Sequence, residues 1–412
     1  MNTADERAKS LLGYSRWWQI AAAAVMMALV SPYQYVWSSL EGPLAAELDA
    51  SLSALGFVFT LYVVVMSMIQ FPAGWWRDRY GPQAVTLAAG FFAGGGYIAL
   101  AFANELWQVY AAYGIGAVGV GMVYTVAVNT AVKWFPDRRG LTTGIGTMAF
   151  AAGSAAFVPF VRYMVDVDAL ATGLWSMGVL IVVGIVVGTV VLRDPPIGWH
   201  ESTDERAADG GNGPTTDNGG QYSWREMVRT WQFWVMYFMF VAVSAAGLMI
   251  TARSILYAEQ AGLTAGVATV AATVLPIASG GGRLVVGALS DRFERERVTA
   301  LSFLACGVGT IGIVLFAGLD SGVGYVLTVA VAVFFWSSQF SLFPSLVGDY
   351  YGPRHSSTNY SLVYSGKLWG GVFGGGVVGW LVGVVGWDAA FLLGGALALT
   401  AGVAGLFLRA PE

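Results

Sequence analysis

Two residues set the chemistry of this chain. Arg283 interrupts the apolar run SGGGRLVVGALSDRFERER (279–297), and Lys367 interrupts NYSLVYSGKLWGGVFGGG (359–376). Arg283 precedes Asp291, where the charges resume, by eight residues, or about 12 Å along a helix; Lys367 follows Arg354 by 13 residues, or roughly 20 Å. The middle of a hydrocarbon layer lies about 15 Å in. A charge at that depth costs at least about 2.5–3.5 kcal/mol, so it normally faces a cavity or a counter-ion. No Asp or Glu lies well inside an apolar run. The acids sit in loops, as at Glu41, Glu47, Asp49, Glu105, Asp166, Asp168, Asp320 and Asp388. The counter-ion is therefore expected from outside the protein, as a bound anion. An arginine grips a carboxylate with two parallel hydrogen bonds, while a lysine acts as a point charge. The competing reading makes both residues packing features, with the arginine bonded to backbone carbonyls and the lysine held uncharged.

The elements that carry these residues follow from composition. The chain has 412 residues, 56% hydrophobic and only 11% charged, against about 25% charged in soluble domains. Twelve apolar runs are expected to span a membrane, near 17–40, 54–76, 83–103, 106–133, 140–164, 171–192, 228–252, 263–289, 298–318, 322–347, 356–384 and 387–409. The first is too long for a signal-peptide core and reads as a retained helix. Between the sixth and seventh runs lies a polar stretch rich in Gly, Asp and Thr. The expected division is a bundle over 1–192, a flexible cytoplasmic linker over 193–227 and a second bundle over 228–412.

Charge then fixes orientation. With the N-terminus inside, seventeen of the 21 lysines and arginines fall in inner segments, Arg162 and Arg253 fall outside, and Arg283 and Lys367 lie within spans. Such asymmetry is the mark of cytoplasmic loops. Both termini are expected in the cytoplasm, in a multi-pass protein of a prokaryotic cell membrane. The chain has one cysteine, Cys306, and two histidines, His200 and His355. Metal sites, disulfides and nucleophile–base pairs lack their usual residues, so no cofactor, no metal and no catalytic group is expected. The glycine-rich GIGAVGVG (114–121) lies mid-span after no strand, which argues against a nucleotide loop. No nucleic-acid partner is expected.

The halves echo each other. GWWRDRYG holds Gly74, Asp78, Arg79 and Gly81 after the second run. GALSDRFE holds Gly287, Asp291 and Arg292 after the eighth, 213 residues on. This G-x-x-x-D-R-x-G pattern resembles the cytoplasmic loop motif of the major facilitator superfamily. That resemblance implies an all-α membrane fold of twelve transmembrane helices in two six-helix bundles. The segments SPYQYVWSSL, GVGMVYTVAVNTAVKWFPDRRGLTTG, TWQFWVMYF, FFWSSQFSLFPS and NYSLVYSGKLWGGVFGGG resemble the oxalate:formate antiporter family, with similarity to monocarboxylate transporters as well. The resemblance implies that Arg283 and Lys367 bind the substrate. It implies a pocket of tyrosines with a glutamine and a tryptophan, matched here by Gln34, Tyr35, Tyr124 and Trp336. Phe150 and Phe340 stand where tyrosine is expected, a departure that bears on whether oxalate itself is carried. Trp17, Trp18 and Trp387 read as belt or packing aromatics.

The expectation is a secondary carrier of small carboxylates, working by exchange, as a monomer in the lipid bilayer. A carrier with two uncompensated charges should reorient slowly when unloaded and quickly with an anion bound. The alternatives are a proton-coupled monocarboxylate symporter of the same fold, which usually has a carboxylate near the binding arginine, and a transporter-like sensor. Enzymatic activity is the weakest reading.

Overall fold

The computed structural model describes residues 3–196, 199 and 221–411. Among them ten helices are long and apolar enough to cross a bilayer, and a bent pair makes a further span. In chain order the spans are α1 (Trp17–Tyr35 and Ser39–Glu47), α2 (Leu52–Tyr80), α3 (Pro82–Leu100), α4 (Leu106–Trp134), α5 (Arg139–Asp166), α6 (Leu170–Val191), α7 (Trp231–Gln260), α8 (Ala265–Ser290), α9 (Arg295–Gly318), α10 (Gly322–Tyr351), α11 and α12 (Trp387–Gly405). α11 is built in pieces, from Ser356–Tyr364, Gly366–Val372, a π turn at Phe373–Val377, and Val378–Val385. Eleven of the twelve expected runs coincide with these spans, with shifted ends, and the run 356–384 falls on the broken helix α11.

The breaks have local causes. α1 bends by 53° beyond Pro32, whose ring removes a backbone donor. α5 breaks at Gly153 and carries Pro159; α10 breaks at Ser338 and carries Pro344. The π turn of α11 falls in a glycine-rich stretch, where no side chains hold the helical register. Several spans begin on a side-chain cap. Ser51, Thr230 and Ser321 accept from the amides of Ala54, Phe233 and Gly324.

α1–α6 and α7–α12 form two bundles. Between them, α5 packs along α8, α2 packs along the start of α11, and α5 also meets α10. In lipid these contacts depend on close packing rather than on the hydrophobic effect. Trp18, Trp107 and Trp380 face outward, as expected of belt aromatics.

Of the segment read as a linker, residues 197, 198 and 200–220 lie outside the described residues, His200 among them. Its described ends are packed against the bundles. Trp199 lies on Trp134 (ring centroids 5.0 Å apart), and the Tyr222 amide donates to the Tyr351 carbonyl at 3.1 Å. Trp224, in the short helix Trp224–Met227, meets Phe71 of α2 at 5.6 Å.

Candidate functional site

Arg283 on α8 and Lys367 on α11 converge on one aromatic ring. The guanidinium carbon of Arg283 lies 4.6 Å from the Phe340 ring centre, and Lys367 Nζ lies 5.5 Å from it. Arg283 Nη1 donates to the Thr147 carbonyl on α5 at 2.8 Å, which ties the two bundles together. Lys367 Nζ donates to the Tyr364 hydroxyl at 3.1 Å. The residues are 3% and 4% exposed. Neither takes part in any ion pair found among the described residues.

The expected pocket aromatics gather around them. Tyr124 lies 5.0 Å from Tyr364 and meets Phe150 edge-on at 5.7 Å. Phe150 is also edge-on to Tyr35 at 5.8 Å, and Trp336 to Phe340 at 5.9 Å. The Tyr124 hydroxyl is near Tyr360 and Tyr364 but completes no well-formed hydrogen bond. Arg283 Nε, Trp336 Nε1 and Gln34 Oε1 are likewise buried without a partner. Buried polar atoms are usually paired, so these orphans stand out in an otherwise well-bonded interior.

Gln34, Tyr35 and Trp336 occupy a different layer from the cations. They line a cavity of about 480 Å³ in the outer half of the molecule, together with Thr251, Pro276 and Ser279. Tyr35 and Trp336 link this cavity to the cation site through their ring contacts with Phe150 and Phe340.

The cytoplasmic side is closed by the two loop motifs. Asp291 Oδ1 and Oδ2 accept from the amides of Gly140 and Leu141, at the start of α5 in the opposite bundle, each at 2.8 Å. A helix N-terminus favours an anion there. Asp291 also takes Arg295 at 2.9 Å, and Asp349 bridges Arg139 and Arg295. Asp78 accepts from the Thr358 amide and hydroxyl, each at 2.9 Å, and pairs with Lys133 at 3.2 Å. Asp194 joins Arg77 to Lys133, at 2.9 and 3.4 Å. Burial pushes the Asp194 carboxyl up, but the two cations outweigh it and hold it below the ordinary carboxylate range. The motif glycines are points of close approach. A Cβ on Gly74 would meet the Ser357 carbonyl oxygen at 2.6 Å, and one on Gly287 the Gly140 carbonyl oxygen at 2.3 Å. Gly81 forms the turn into α3. Arg79 lies over Trp75 and Tyr80, and Arg292 is exposed beyond α8.

Sequence reading missed Tyr364, Thr147 and Asp349. Tyr364 carried a signal, since it stands three residues before Lys367 and so on the same helix face. Thr147 acts through its backbone carbonyl, which no side-chain pattern reveals.

Two helical bundles meeting around a buried pair of cations are the architecture of a membrane transporter, and the family match agrees. The chain belongs to the Major Facilitator Superfamily, which matches over residues 17–365. It is similar to the oxalate:formate antiporter of Oxalobacter formigenes, 29% identical over 95% of this chain and 91% of that protein. It also resembles monocarboxylate transporter 9 of Pongo abelii, 30% identical over 25% of this chain and 20% of that one. Among solved structures, the transporter FucP in its outward conformation aligns with a TM-score of 0.70 at 16% identity, over 95% of this chain and 99% of that one, a likeness of fold.

Proposed function

We propose that this transporter exchanges small organic carboxylates across the cell membrane by alternating access, with Arg283 and Lys367 gripping the anion. One observation carries the reading: two buried cations share the Phe340 ring and neither has a carboxylate. A bound carboxylate supplies the missing charge. The similarity to an oxalate:formate antiporter supports the substrate class. Residues 1–192 and 228–412 are the two bodies that rock, and a monomer in the bilayer suffices.

The rings narrow the substrate. Phe340 presents a hydrocarbon face where a phenol would offer a donor, and Phe150 does the same next to Tyr124. A carboxyl oxygen buried there without a partner costs about 1–3 kcal/mol. A carboxylate with a short hydrocarbon tail loses least. The preferred cargo is a small monocarboxylate, or a less symmetric dicarboxylate than oxalate.

Counterflow tests both points. Liposomes loaded with propionate or lactate should accumulate labelled external substrate, and unloaded liposomes should not. Strong uptake into unloaded vesicles under an imposed pH gradient would decide for proton symport instead.

A further inference from the structure

Polar side chains continue from the cation site towards the cytoplasm, and several of their atoms lack hydrogen-bond partners although Arg77 Nη2 is held by Asp194. Serines and threonines in these helices usually donate to the carbonyl four residues back, as Thr125, Thr130, Ser302 and Ser345 do. Ser357 and Ser361 do not. Their hydroxyls are buried with no hydrogen-bond partner, and both residues are fully buried. On α4, which also meets the start of α11, Asn129 spends its amide on the Thr125 carbonyl at 2.9 Å and leaves Oδ1 buried and unpaired. At the foot of the series, Arg77 is fully buried, with Nε and Nη1 lacking hydrogen bonds.

Spacing makes these groups one track. Ser357, Ser361 and Tyr364 follow at intervals of four and three, hence along one face of α11, and Tyr364 holds Lys367. The face is pressed against α2, where Gly74 rides on the Ser357 carbonyl. An interface that never opened would be better filled by hydrocarbon, because buried unpaired hydroxyls are unfavourable. The outer cavity mixes such residues, among them Ala155, Val158 and Leu275, with Gln34, Thr251 and Ser279.

We propose that Ser357, Ser361 and Asn129, with Arg77 at their end, line the cytoplasmic passage of the carried anion. The passage is shut in this state. It hydrates when α2 and α11 part, and its hydroxyls and guanidinium then replace lost water around a partly hydrated anion. This rests on the alternating-access reading above. It adds an asymmetry: a mixed polar and apolar cavity outside, and a closed, hydroxyl-lined passage inside.

The test uses the full chain with its one cysteine removed (Cys306→Ala), carrying Ser357→Cys, Ser361→Cys or Asn129→Cys singly. The probe is an anionic, membrane-impermeant methanethiosulfonate, applied to inside-out and right-side-out vesicles. Each cysteine should react at least about tenfold faster from the cytoplasmic side, and faster again by about threefold or more when Asp291→Asn loosens the cytoplasmic closure. Thr251→Cys, in the outer cavity, should show the opposite sidedness. If Ser357→Cys fails to accumulate because of the tight contact with Gly74, the other two positions carry the test. Labelling no faster from the cytoplasm than from outside, in protein that still performs counterflow, overturns the passage. Absence of counterflow in the Cys306→Ala parent, with sided labelling intact, instead counts against the exchange reading and leaves the passage standing.

Discussion

The cytoplasmic end and the membrane midplane treat positive charge in opposite ways. At the cytoplasmic end Arg77, Lys133, Arg139 and Arg295 each meet a carboxylate, and Asp349 serves two arginines at once. At the midplane, where an unpaired charge is most costly, Arg283 and Lys367 meet a carbonyl, a phenol and a phenylalanine ring. The chain has ample acid to neutralise them and places none there. On the reading proposed above, the unpaired cations are kept for a ligand that comes and goes.

The sharpest way to break the contrast is to give the midplane its own acid. Phe340→Glu sets a carboxylate between the two cations and should cut exchange by about a hundredfold or more, because an internal counter-ion competes with the cargo. Thermal stability in detergent should hold or rise. Exchange at the wild-type rate would sink the assignment of this site. Arg283→Gln should be nearly as severe, and Arg283→Lys should still lose affinity sharply, since the paired hydrogen bonds are gone. Lys367→Arg should be milder; counterflow kinetics across these variants rank them.

Loosening the cytoplasmic end should do less. Asp291→Asn weakens charge-assisted bonds worth about 1.5–3 kcal/mol each, so the balance should move by about tenfold towards the inward-open state. Protease or thiol accessibility from the cytoplasm reads that shift, and an unchanged pattern would remove Asp291 from the gate. Smaller still is the effect of restoring phenols. Phe150→Tyr with Phe340→Tyr should shift competition towards oxalate by several-fold, since each regained bond is worth about 0.5–1.5 kcal/mol. A wild-type preference for oxalate of tenfold or more would refute this reading of the two rings.

The mildest effect is on pH. The Asp194 carboxyl is held low in the folded protein, so its contribution is complete above the ordinary aspartate range and lost only as pH falls through the depressed value. Melting temperature should stay level from neutral pH to about pH 4 and decline below it. Asp194→Asn should flatten that acid limb. An acid limb identical in the variant would remove Asp194 from the account.

Most of this contrast was legible in the sequence. Arg283 and Lys367 stood out because charge in an apolar run is costly, and the spans followed from length and loop charge. The paired motifs marked Asp78 and Asp291 as helix-end acids. The partners across the interface were hidden. Gly140 and Leu141 hold Asp291 through backbone amides, and Thr147 holds Arg283 through its carbonyl. Every residue owns such groups, so no residue type announces them. Tyr364 was masked by abundance, in a chain with 18 tyrosines. Ser357 and Ser361 were masked by their ordinariness, since only burial without a partner distinguishes them.

The grip of Asp291 on two peptide amides has a consequence for how this protein changes over generations. A contact between two side chains can be lost by drift at either codon. Here one side is main chain, so almost any replacement at position 141 keeps the donor, proline excepted. Position 140 is held to glycine for a different reason, since a Cβ there would meet the Gly287 carbonyl oxygen at 2.1 Å. The heritable risk of this contact therefore falls on codons 140 and 291. A library randomised at 141 should return many working alleles, poor in proline, while libraries at 140 and 291 should return glycine and aspartate almost alone.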